Sequence, residues 1–249
     1  MKIILHGAAG HMGKVATGVL QDGYAGAQLV AAVDAHAPQQ EGILQSLGEY
    51  TGPADCLIDF SHHSTAGAIC EYAVARGLPC VIATTGHTQQ ELDLLQQASK
   101  SIPVFLSANM SIGIAVLAEF AKQAAAMLPD ADIEIVETHH NRKLDAPSGT
   151  ALLLADAVKE ARGDVPLVCG RSGQQKRTPG EIGIHSLRMG NIVGTHEVHL
   201  CTDTQTITLR HEAHDRALFA EGAVRAAEFL VGKPAGLYNM QDLFQKTSI

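Results

Sequence analysis

The sequence has no tryptophan, few aromatic residues and no long apolar run. Aromatic side chains account for 4% of the 249 residues, so aliphatic side chains must supply most of the core. No apolar stretch approaches the roughly 18 residues that a membrane-spanning helix needs. The opening segment Met1–Gly7 is too short for a signal peptide. The sequence therefore predicts a cytoplasmic protein with no membrane partner.

Positive charge is also scarce. The chain has 18 Lys and Arg against 26 Asp and Glu, a formal net charge of -8. That balance repels phosphate backbones, and no block of Lys and Arg resembles a nucleic-acid patch. We therefore expect no nucleic-acid partner. The proportions of hydrophobic (46%) and charged (18%) residues are those of a globular protein and exclude disorder of the whole chain.

Cysteine is present in an odd number and without any Cys-x-x-Cys pair, which argues against both a disulfide framework and a cysteine metal site. Most of the five lie within apolar runs, and we predict buried free thiols at Cys56, Cys70, Cys80, Cys169 and Cys201. No metal is expected either. The adjacent His139 and His140 lack the i, i+4 spacing of a helical zinc site.

Short β-rich runs alternate with helical segments from Lys2 to about Asn109, a pattern typical of βαβ units around a parallel sheet. Between the third and fourth runs, Ser64 is the predicted cap of a helix that stops at Gly77. The final helix, 215–230, and its apolar tail need a core and are expected to return to this sheet. We predict an α/β Rossmann dinucleotide-binding domain formed by residues 1–110 with 213–249.

The pattern of apolar and polar residues changes after a predicted helix near Ile112–Met127. Apolar and polar residues alternate from Ile133 to Glu137, and three further β-like stretches (182–189, 192–201 and 204–210) are joined by short links. This pattern predicts an antiparallel meander. Residues 111–212 are thus a second α+β domain with a mixed, largely antiparallel sheet.

A glycine-rich loop lies between the first strand and the first helix. Small residues there let the backbone approach a pyrophosphate, which the N–H groups of the helix N-terminus then bind. Asp34 ends the second strand about 20 residues past the last glycine, where a carboxylate accepts hydrogen bonds from an adenine ribose. The alternatives are an ordinary tight turn and a capping Asp. The loop reads Gly7, Ala8, Ala9, Gly10, His11, Met12, Gly13.

The fourth and fifth strands end at the same edge of such a sheet, which is where ligands bind. We therefore predict that the residues that follow these strands also contact a dinucleotide. They are Ala83, Thr84, Thr85, Ser107, Ala108, Asn109 and Met110.

Ionisable residues that could take part in catalysis are most concentrated between His139 and Thr150. Five ionisable side chains occur within the seven residues from His139 to Asp145, and Ser148 is placed to cap a new helix. The N–H groups of Gly149 and Thr150 at that helix N-terminus suit a substrate carboxylate. Imidazoles and a lysine in one loop also suit general acid–base catalysis. The alternative is a solvated basic loop before an ordinary cap.

These segments together resemble the dihydrodipicolinate reductase family, now described as 4-hydroxy-tetrahydrodipicolinate reductase. The resemblance covers nearly the whole chain and is most specific from His139 to Thr150. Besides the two loops, it is carried by Ile58–Phe60, Thr84–Gly86, Ala108–Asn109, Gly190–Gly194 and Gly222–Arg225.

The resemblance implies an NAD(P)H-dependent reductase of the diaminopimelate route to lysine, which acts on a cyclic dicarboxylate and assembles as a homotetramer. His139 matches the family's proton donor/acceptor and Lys143 its proton donor. His140, Gly149 and Thr150 match residues that hold the substrate carboxylate.

Four positions depart from the commoner family pattern. His11 and Ala35 stand where arginines are usual, Ala83 replaces a Gly, and Met110 replaces a Phe. The two missing cations are ones that favour a 2′-phosphate, so NADH is expected to serve at least as well as NADPH.

Two rival functions belong to other classes. A non-catalytic dinucleotide-sensing protein would keep the glycine loop and Asp34 but has no use for His139, Lys143 and an anion-binding helix end together. A hydrolase of acidic substrates would need an activated nucleophile or a metal, and the sequence shows neither.

Overall fold

The computed structural model describes residues 1–37 and 42–244. The chain forms two compact units, one of Met1–Ser111 with the chain from Arg216 onward, the other of Ile112–Asp215. The roles assigned to residues 1–110 with 213–249 and to 111–212 stay predictions, and 245–249 lie outside the described residues.

The described residues form the following elements. The strands are β1 (Lys2–His6), β2 (Gln28–Val33), β3 (Ile43–Leu44), β4 (Cys56–Asp59), β5 (Cys80–Ile82), β6 (Pro103–Leu106), β7 (Asp132–His139), β8 (Leu167–Cys169), β9 (Ile182–Arg188), β10 (Gly194–Cys201), β11 (Thr206–Ala213) and β12 (Gly236–Tyr238). The α-helices are α1 (His11–Gln21), α2 (Ala66–Arg76), α3 (Gln89–Ala98), α4 (Ile112–Met127), α5 (Gly149–Arg162) and α6 (Ala217–Leu230).

The first unit contains a seven-stranded parallel sheet in the described residues, with the order β12-β6-β5-β4-β1-β2-β3. Its strands are nearly continuous apolar runs because helices cover both faces of such a sheet. Ile4, Leu57, Ile82 and Val104 are fully or almost fully buried in its core. The predicted Rossmann architecture is confirmed, and β1, β4, β5 and β6 end at one edge.

The helix after β4 starts later than predicted. Ser64 lies in a 3₁₀ turn, His63–Thr65, where its backbone N–H donates to the His62 side chain. Since the turn takes up Ser64, α2 begins at Ala66 and the predicted Ser64 cap is wrong. The predicted stop is confirmed, because Gly77 takes the left-handed conformation (φ 59°) that glycine adopts without strain.

The second unit contains a five-stranded mixed sheet in the described residues, with the order β11-β10-β7-β9-β8. β10 is antiparallel to β7 and β11, whereas β7 and β8 run parallel to β9. α4 and α5 contribute Leu117 and Leu154 to the core of this unit. The mixed sheet is confirmed.

The predicted meander is confirmed for β10 and β11, which pair antiparallel, but it is wrong for β9, because β7 lies between β9 and β10. The link of residues 189–193 spans up to about 16 Å when extended, more than the roughly 10 Å between strands that flank a third. The link also hydrogen-bonds the end of β7. The Met189 N–H donates to the His139 carbonyl (2.9 Å), and the His140 N–H donates to the Ile192 carbonyl (2.8 Å).

The tail adds a strand that the sequence did not reveal. β12 pairs with β6, with Leu237 beside Val104, and the Tyr238 ring packs edge-on against Phe229 at 5.7 Å between centroids. Met240 is buried. Leu237 is 41% exposed, so the prediction that every apolar tail residue needs a core is wrong for this one.

The thiols are divided between core and surface. Cys56, Cys70 and Cys80 are buried as predicted, but Cys169 and Cys201 are exposed because they are the last residues of β8 and β10. All five are free. Among the described residues, no helix combines the length and apolar character that crossing a membrane requires.

Candidate active site

The glycine loop joins β1 to α1 with almost no space for side chains. A Cβ on Gly7 (φ +81°) would lie 2.6 Å from the backbone of Phe60 and Ser61. A Cβ on Gly13 would lie 2.0 Å from the Gly7 carbonyl oxygen. The glycines thus let the start of α1 pack directly on the loop, next to the end of β4.

The N-terminus of α1 has no side-chain cap and therefore suits an anion. Gly10 occupies the N-cap position and offers no side-chain cap, and the first helical hydrogen bond runs from the Lys14 N–H to the Gly10 carbonyl at 3.0 Å. The N–H groups of the first turn therefore point out of the helix end, where a pyrophosphate is stabilised by the helix dipole.

Asp34 lies directly after β2, and its position is fixed by backbone donors. Its Oδ2 accepts from the Ala9 N–H (3.0 Å) and its Oδ1 from the His36 N–H (2.9 Å). A cavity of about 310 Å³ lies beside this carboxylate. Its lining includes Gly7, Ala9, Gly10 and Asp34 from the prediction, and Ala35, His36 and His62 besides.

The other predicted cofactor residues follow the ends of β5 and β6 at the same sheet edge, outside the lining of that cavity. The Thr84 hydroxyl donates to Asp59 Oδ2 at 2.6 Å. Met110 is buried, and its carbonyl oxygen would be 1.8 Å from a Cβ on Gly222 of α6. The other predicted cofactor residues in these two segments are Ala83, Thr85, Ser107, Ala108 and Asn109. The predicted cofactor residues Ala8, His11 and Met12 lie in the glycine loop.

Asp59 organises this edge, and sequence reasoning gave it no role. It is 1% exposed and accepts hydrogen bonds from His6 Nδ1 (2.8 Å), the Ser61 hydroxyl (2.5 Å) and Thr84. An acid at the end of the apolar run Ile58–Phe60 was the available signal, because a buried carboxylate needs partners.

The histidines after β4 have separate environments. His62 lines the cavity, whereas His63 Nδ1 hydrogen-bonds Glu91 at 2.9 Å. The hydrogen bond from His63 lowers the pKa of Glu91 to about 2.

In the second unit, the end of β7 carries His139, which is 8% exposed. Its Nδ1 lies 2.5 Å from Oε2 of Glu137. Glu137 is fully buried and also accepts two hydrogen bonds from Arg188 of β9, each of 2.8 Å. Burial alone raises the pKa of Glu137, but hydrogen bonds from His139, Arg188 and Ser186 hold it well below its usual range.

The loop after β7 holds its lysine in an ion pair. Lys143 Nζ lies 2.9 Å from Asp145 Oδ1, and that contact lowers the pKa of Asp145. The loop is braced against the β9–β10 link by the Arg142 guanidinium, which donates to Asn191 Oδ1 at 2.5 Å. His140 is half-buried there.

The predicted cap of α5 is confirmed. The Ser148 hydroxyl accepts from the Ala151 N–H at 3.2 Å, and Gly149 and Thr150 form the first turn. α5 has 14 residues, so its aligned peptide dipoles favour an anion at this end. The charged loop thus leads directly into a helix terminus whose dipole favours an anion.

His196 of β10 also lies at this site, and the sequence analysis did not single it out. Its ring packs on His139 at 5.1 Å between centroids, and its Nε2 lies 3.2 Å from the Ser148 hydroxyl. Burial lowers the pKa of His196 to about 3, so the imidazole is neutral at pH 7. The available signal was that His196 is in phase with the inward-facing Val198 and Leu200.

Comparisons with known proteins agree over the whole chain. Family models described as "Dihydrodipicolinate reductase, N-terminus" and "Dihydrodipicolinate reductase, C-terminus" match residues 1–110 and 113–244. A 4-hydroxy-tetrahydrodipicolinate reductase of Caldanaerobacter subterraneus subsp. tengcongensis is 44% identical over 99% of both chains. One from Clostridium tetani is 42% identical over 96% of this chain and 95% of its own.

The solved structures support the fold. A dipicolinate-bound dihydrodipicolinate reductase from Paenisporosarcina sp. TG-14 superposes with a TM-score of 0.79 at 22% identity, over 96% of this chain and 97% of that one. A probable dehydrogenase from Thermotoga maritima gives 0.65 at 10% identity, over 98% and 92%.

The Rossmann unit, its glycine loop and these matches define an NAD(P)H-dependent oxidoreductase. The charged loop before α5 lies in the half of the chain that the C-terminal family model covers. The chain belongs to the dihydrodipicolinate reductase family.

Proposed function

We propose that this chain reduces 4-hydroxy-tetrahydrodipicolinate to tetrahydrodipicolinate with NAD(P)H, in the diaminopimelate route to lysine. The proposal rests on two ion pairs that directly precede the N-terminus of α5 in the chain. They are His139 with Glu137 at the end of β7 and Lys143 with Asp145 in the loop that follows. A dinucleotide sensor has no need of this arrangement. The proposal is tested by following NADH or NADPH absorbance while a dihydrodipicolinate synthase generates the substrate, and an inactive, folded enzyme would refute it.

The N-terminus of α5 is the proposed carboxylate site. Gly149 and Thr150 would donate backbone hydrogen bonds to one substrate carboxylate, and His140 would add a further polar contact. The dipicolinate bound to the Paenisporosarcina enzyme is itself a cyclic dicarboxylate. A fixed carboxylate orients the ring, which is how binding energy lowers the barrier of the chemical step.

The proposed acid–base residues, Lys143 and His139, would supply the proton that the reduction takes up. Replacing the 4-hydroxyl by hydrogen takes up a hydride and a proton and releases water, and a bound nicotinamide supplies the hydride. We assign proton donation to Lys143 and to His139 the exchange of a proton at Nε2, because its Nδ1 is held by Glu137. A positioned general acid of this kind typically contributes about 10²–10⁴-fold.

The first unit fits a dinucleotide. Side chains are excluded at Gly7 and Gly13, the end of α1 suits the pyrophosphate, and Asp34 suits the adenine ribose hydroxyls. Ala8, Ala9, Gly10, His11 and Met12 would complete the phosphate loop. The segments 83–85 and 107–110 would contact the remainder of the cofactor.

We predict that kcat/KM for NADH equals or exceeds that for NADPH. Asp34 faces the cavity with both oxygens fixed, and a 2′-phosphate about 4 Å away would cost roughly 1–4 kcal/mol per pair of charges at partly solvated sites. Ala35→Arg should shift the ratio towards NADPH because a guanidinium pairs with phosphate.

Ala35→Gln is the control for this prediction, since it adds length without charge and should leave the ratio near that of the wild type. A wild-type preference of about tenfold or more for NADPH, which is about 1.4 kcal/mol, would contradict it. Arg216 would then be the first residue to replace, because its Nη1 lies 2.9 Å from His11 Nε2 beside the loop.

We also propose that the enzyme is a homotetramer. One face of the second sheet packs on α4 and α5. The other face exposes part of Glu197 and His199, as antiparallel sheets commonly do on one side, and we place the contacts between subunits at this end of the face. Light scattering should give four times the 26.3 kDa of one chain, and a monomeric mass would overturn the assignment.

A further inference from the structure

We propose that Glu137 is a positioning residue that fixes the proton of His139 on Nδ1 and joins this histidine to the carboxylate-binding end of α5. The inference rests on the proposed function, because it assumes that His139 exchanges a proton with the substrate. Neither the motif match nor the comparisons assign Glu137 a role.

The two carboxylate oxygens of Glu137 accept hydrogen bonds from different groups. Oε2 accepts from His139 Nδ1 (2.5 Å) and Arg188 Nη1 (2.8 Å). Oε1 accepts from Arg188 Nη2 (2.8 Å) and from the Ser148 N–H (3.1 Å). Ser148 is the N-cap of α5. One buried carboxylate therefore holds both the proton-exchanging ring and the helix terminus that binds the substrate.

The charge of Glu137 determines the tautomer of His139. An ionised carboxylate only accepts hydrogen bonds, so the contact requires a proton on Nδ1. Neutral His139 therefore keeps its lone pair on Nε2. A Cβ on Gly194 would lie 3.0 Å from that nitrogen, so glycine keeps a side chain away from this edge of the ring. The reacting nitrogen is thus set by the contact on the other side of the ring.

Arg188 keeps Glu137 charged in the core. Its guanidinium binds both carboxylate oxygens and also donates to the Asp145 carbonyl at 2.6 Å. The hydrogen bonds to Glu137 raise the pKa of Arg188, so this pair stays ionised across the working pH range. Arg188 also links Glu137 to the loop that carries Lys143.

Other charged or titratable groups surround His139 on every packed element. His196 on β10 is neutral at pH 7 because burial lowers its pKa. It therefore adds no positive charge beside His139. Among the described residues, these groups include Glu137 on β7, Lys143 and Asp145 in the loop, Arg188 on β9 and His196 on β10, whose cross-strand neighbour is His211 on β11.

The test compares Glu137→Gln with Glu134→Gln. Both replace a carboxylate of β7 that hydrogen-bonds a histidine and an arginine, but Glu134 contacts His185 (3.0 Å) and Arg177 on the opposite face. The measurement is kcat against pH with saturating NADH. His139→Gln identifies the limb of the profile that depends on His139.

We expect Glu137→Gln to lower kcat at least about tenfold and to move the midpoint of the His139 limb to lower pH. The sign follows because a carboxylate stabilises imidazolium over imidazole, and the neutral amide does not. Glu134→Gln should leave kcat and midpoint unchanged. Glu137→Asp, which retains the charge, should restore the midpoint even where kcat stays low.

A merely structural role would reduce activity by the same factor at every pH. An unchanged midpoint in folded Glu137→Gln, or an equal shift in Glu134→Gln, therefore overturns the inference. If Glu137→Gln does not fold, the double variant Glu137→Gln/Arg188→Gln removes both buried charges and should show the same shift. Imidazole ¹⁵N NMR of the wild type gives a second readout, and a proton on Nε2 of neutral His139 would also overturn it.

Failure of the proposed function gives a different pattern. If His139→Gln keeps near-wild-type kcat, the catalytic assignment of His139 is wrong. If His139→Gln loses activity while Glu137→Gln keeps the wild-type midpoint, only the positioning role is wrong.

Discussion

Lys143→Ala and His139→Ala should each lower kcat by roughly 10²–10⁴-fold, the usual contribution of a positioned general acid or base. The Lys143 side chain is held by Asp145 and the His139 side chain by Glu137, so each is held in one orientation in the structure. Binding of NADH should be unaffected, because the glycine loop belongs to the other unit. Initial rates and fluorescence titration with NADH measure the two quantities.

Lys159→Ala is the matched control for the lysine. Its ammonium also pairs with an aspartate, Asp164 at 3.4 Å, and it is similarly shielded (26% exposed against 22% for Lys143). It lies in the last turn of α5, away from the charged loop, so its loss should leave kcat unchanged. A near-wild-type kcat in Lys143→Ala would remove the assigned proton donor from the proposal.

The features that the sequence predicted well depend on short stretches of chain. The glycine loop, Asp34 and the Ser148 cap follow from strand, turn and helix signals within a few residues of each other. The parallel sheet follows from the alternation of short apolar runs with helical segments. These local rules defined the cofactor unit and the start of α5.

The features that the sequence did not predict depend on distant pairing. Arg188 reaches Glu137 across 51 residues, and His196 meets Ser148 across 48. Both contacts exist because β9 and β10 flank β7, whereas a meander would have placed β9 beside β10. Local alternation determines which side chains face the core but leaves the neighbouring strand undetermined.

Asp59 illustrates a different limit. The apolar run around it predicted a buried strand correctly, yet three side chains from separate segments, His6, Ser61 and Thr84, are needed to satisfy its carboxylate. A buried acid in a sequence signals that partners exist without identifying them.

Gly13 and Gly18 both lie in α1, but only Gly13 packs closely on the glycine loop. Replacing each by alanine therefore distinguishes the effect of this packing from the effect of helix propensity. In Gly13→Ala the new Cβ would lie 2.0 Å from the Gly7 carbonyl oxygen and 2.7 Å from the Ala8 backbone. These neighbours are main-chain atoms, so the loop itself must move. We expect a loss of about 1–3 kcal/mol in the free energy of unfolding. NADH affinity should fall by roughly tenfold or more, because about 1.4 kcal/mol of lost contact is sufficient for that.

Gly18→Ala should have the opposite effect, because the space within 4 Å of its Cβ position is empty. Alanine in a helix interior is favoured over glycine by about 0.5–1 kcal/mol, so this variant should unfold at a higher denaturant concentration and bind NADH normally. Urea unfolding and NADH titration of the two variants make the comparison. If Gly13→Ala matches Gly18→Ala in both measurements, the close approach of α1 to the loop is not what shapes the cofactor site.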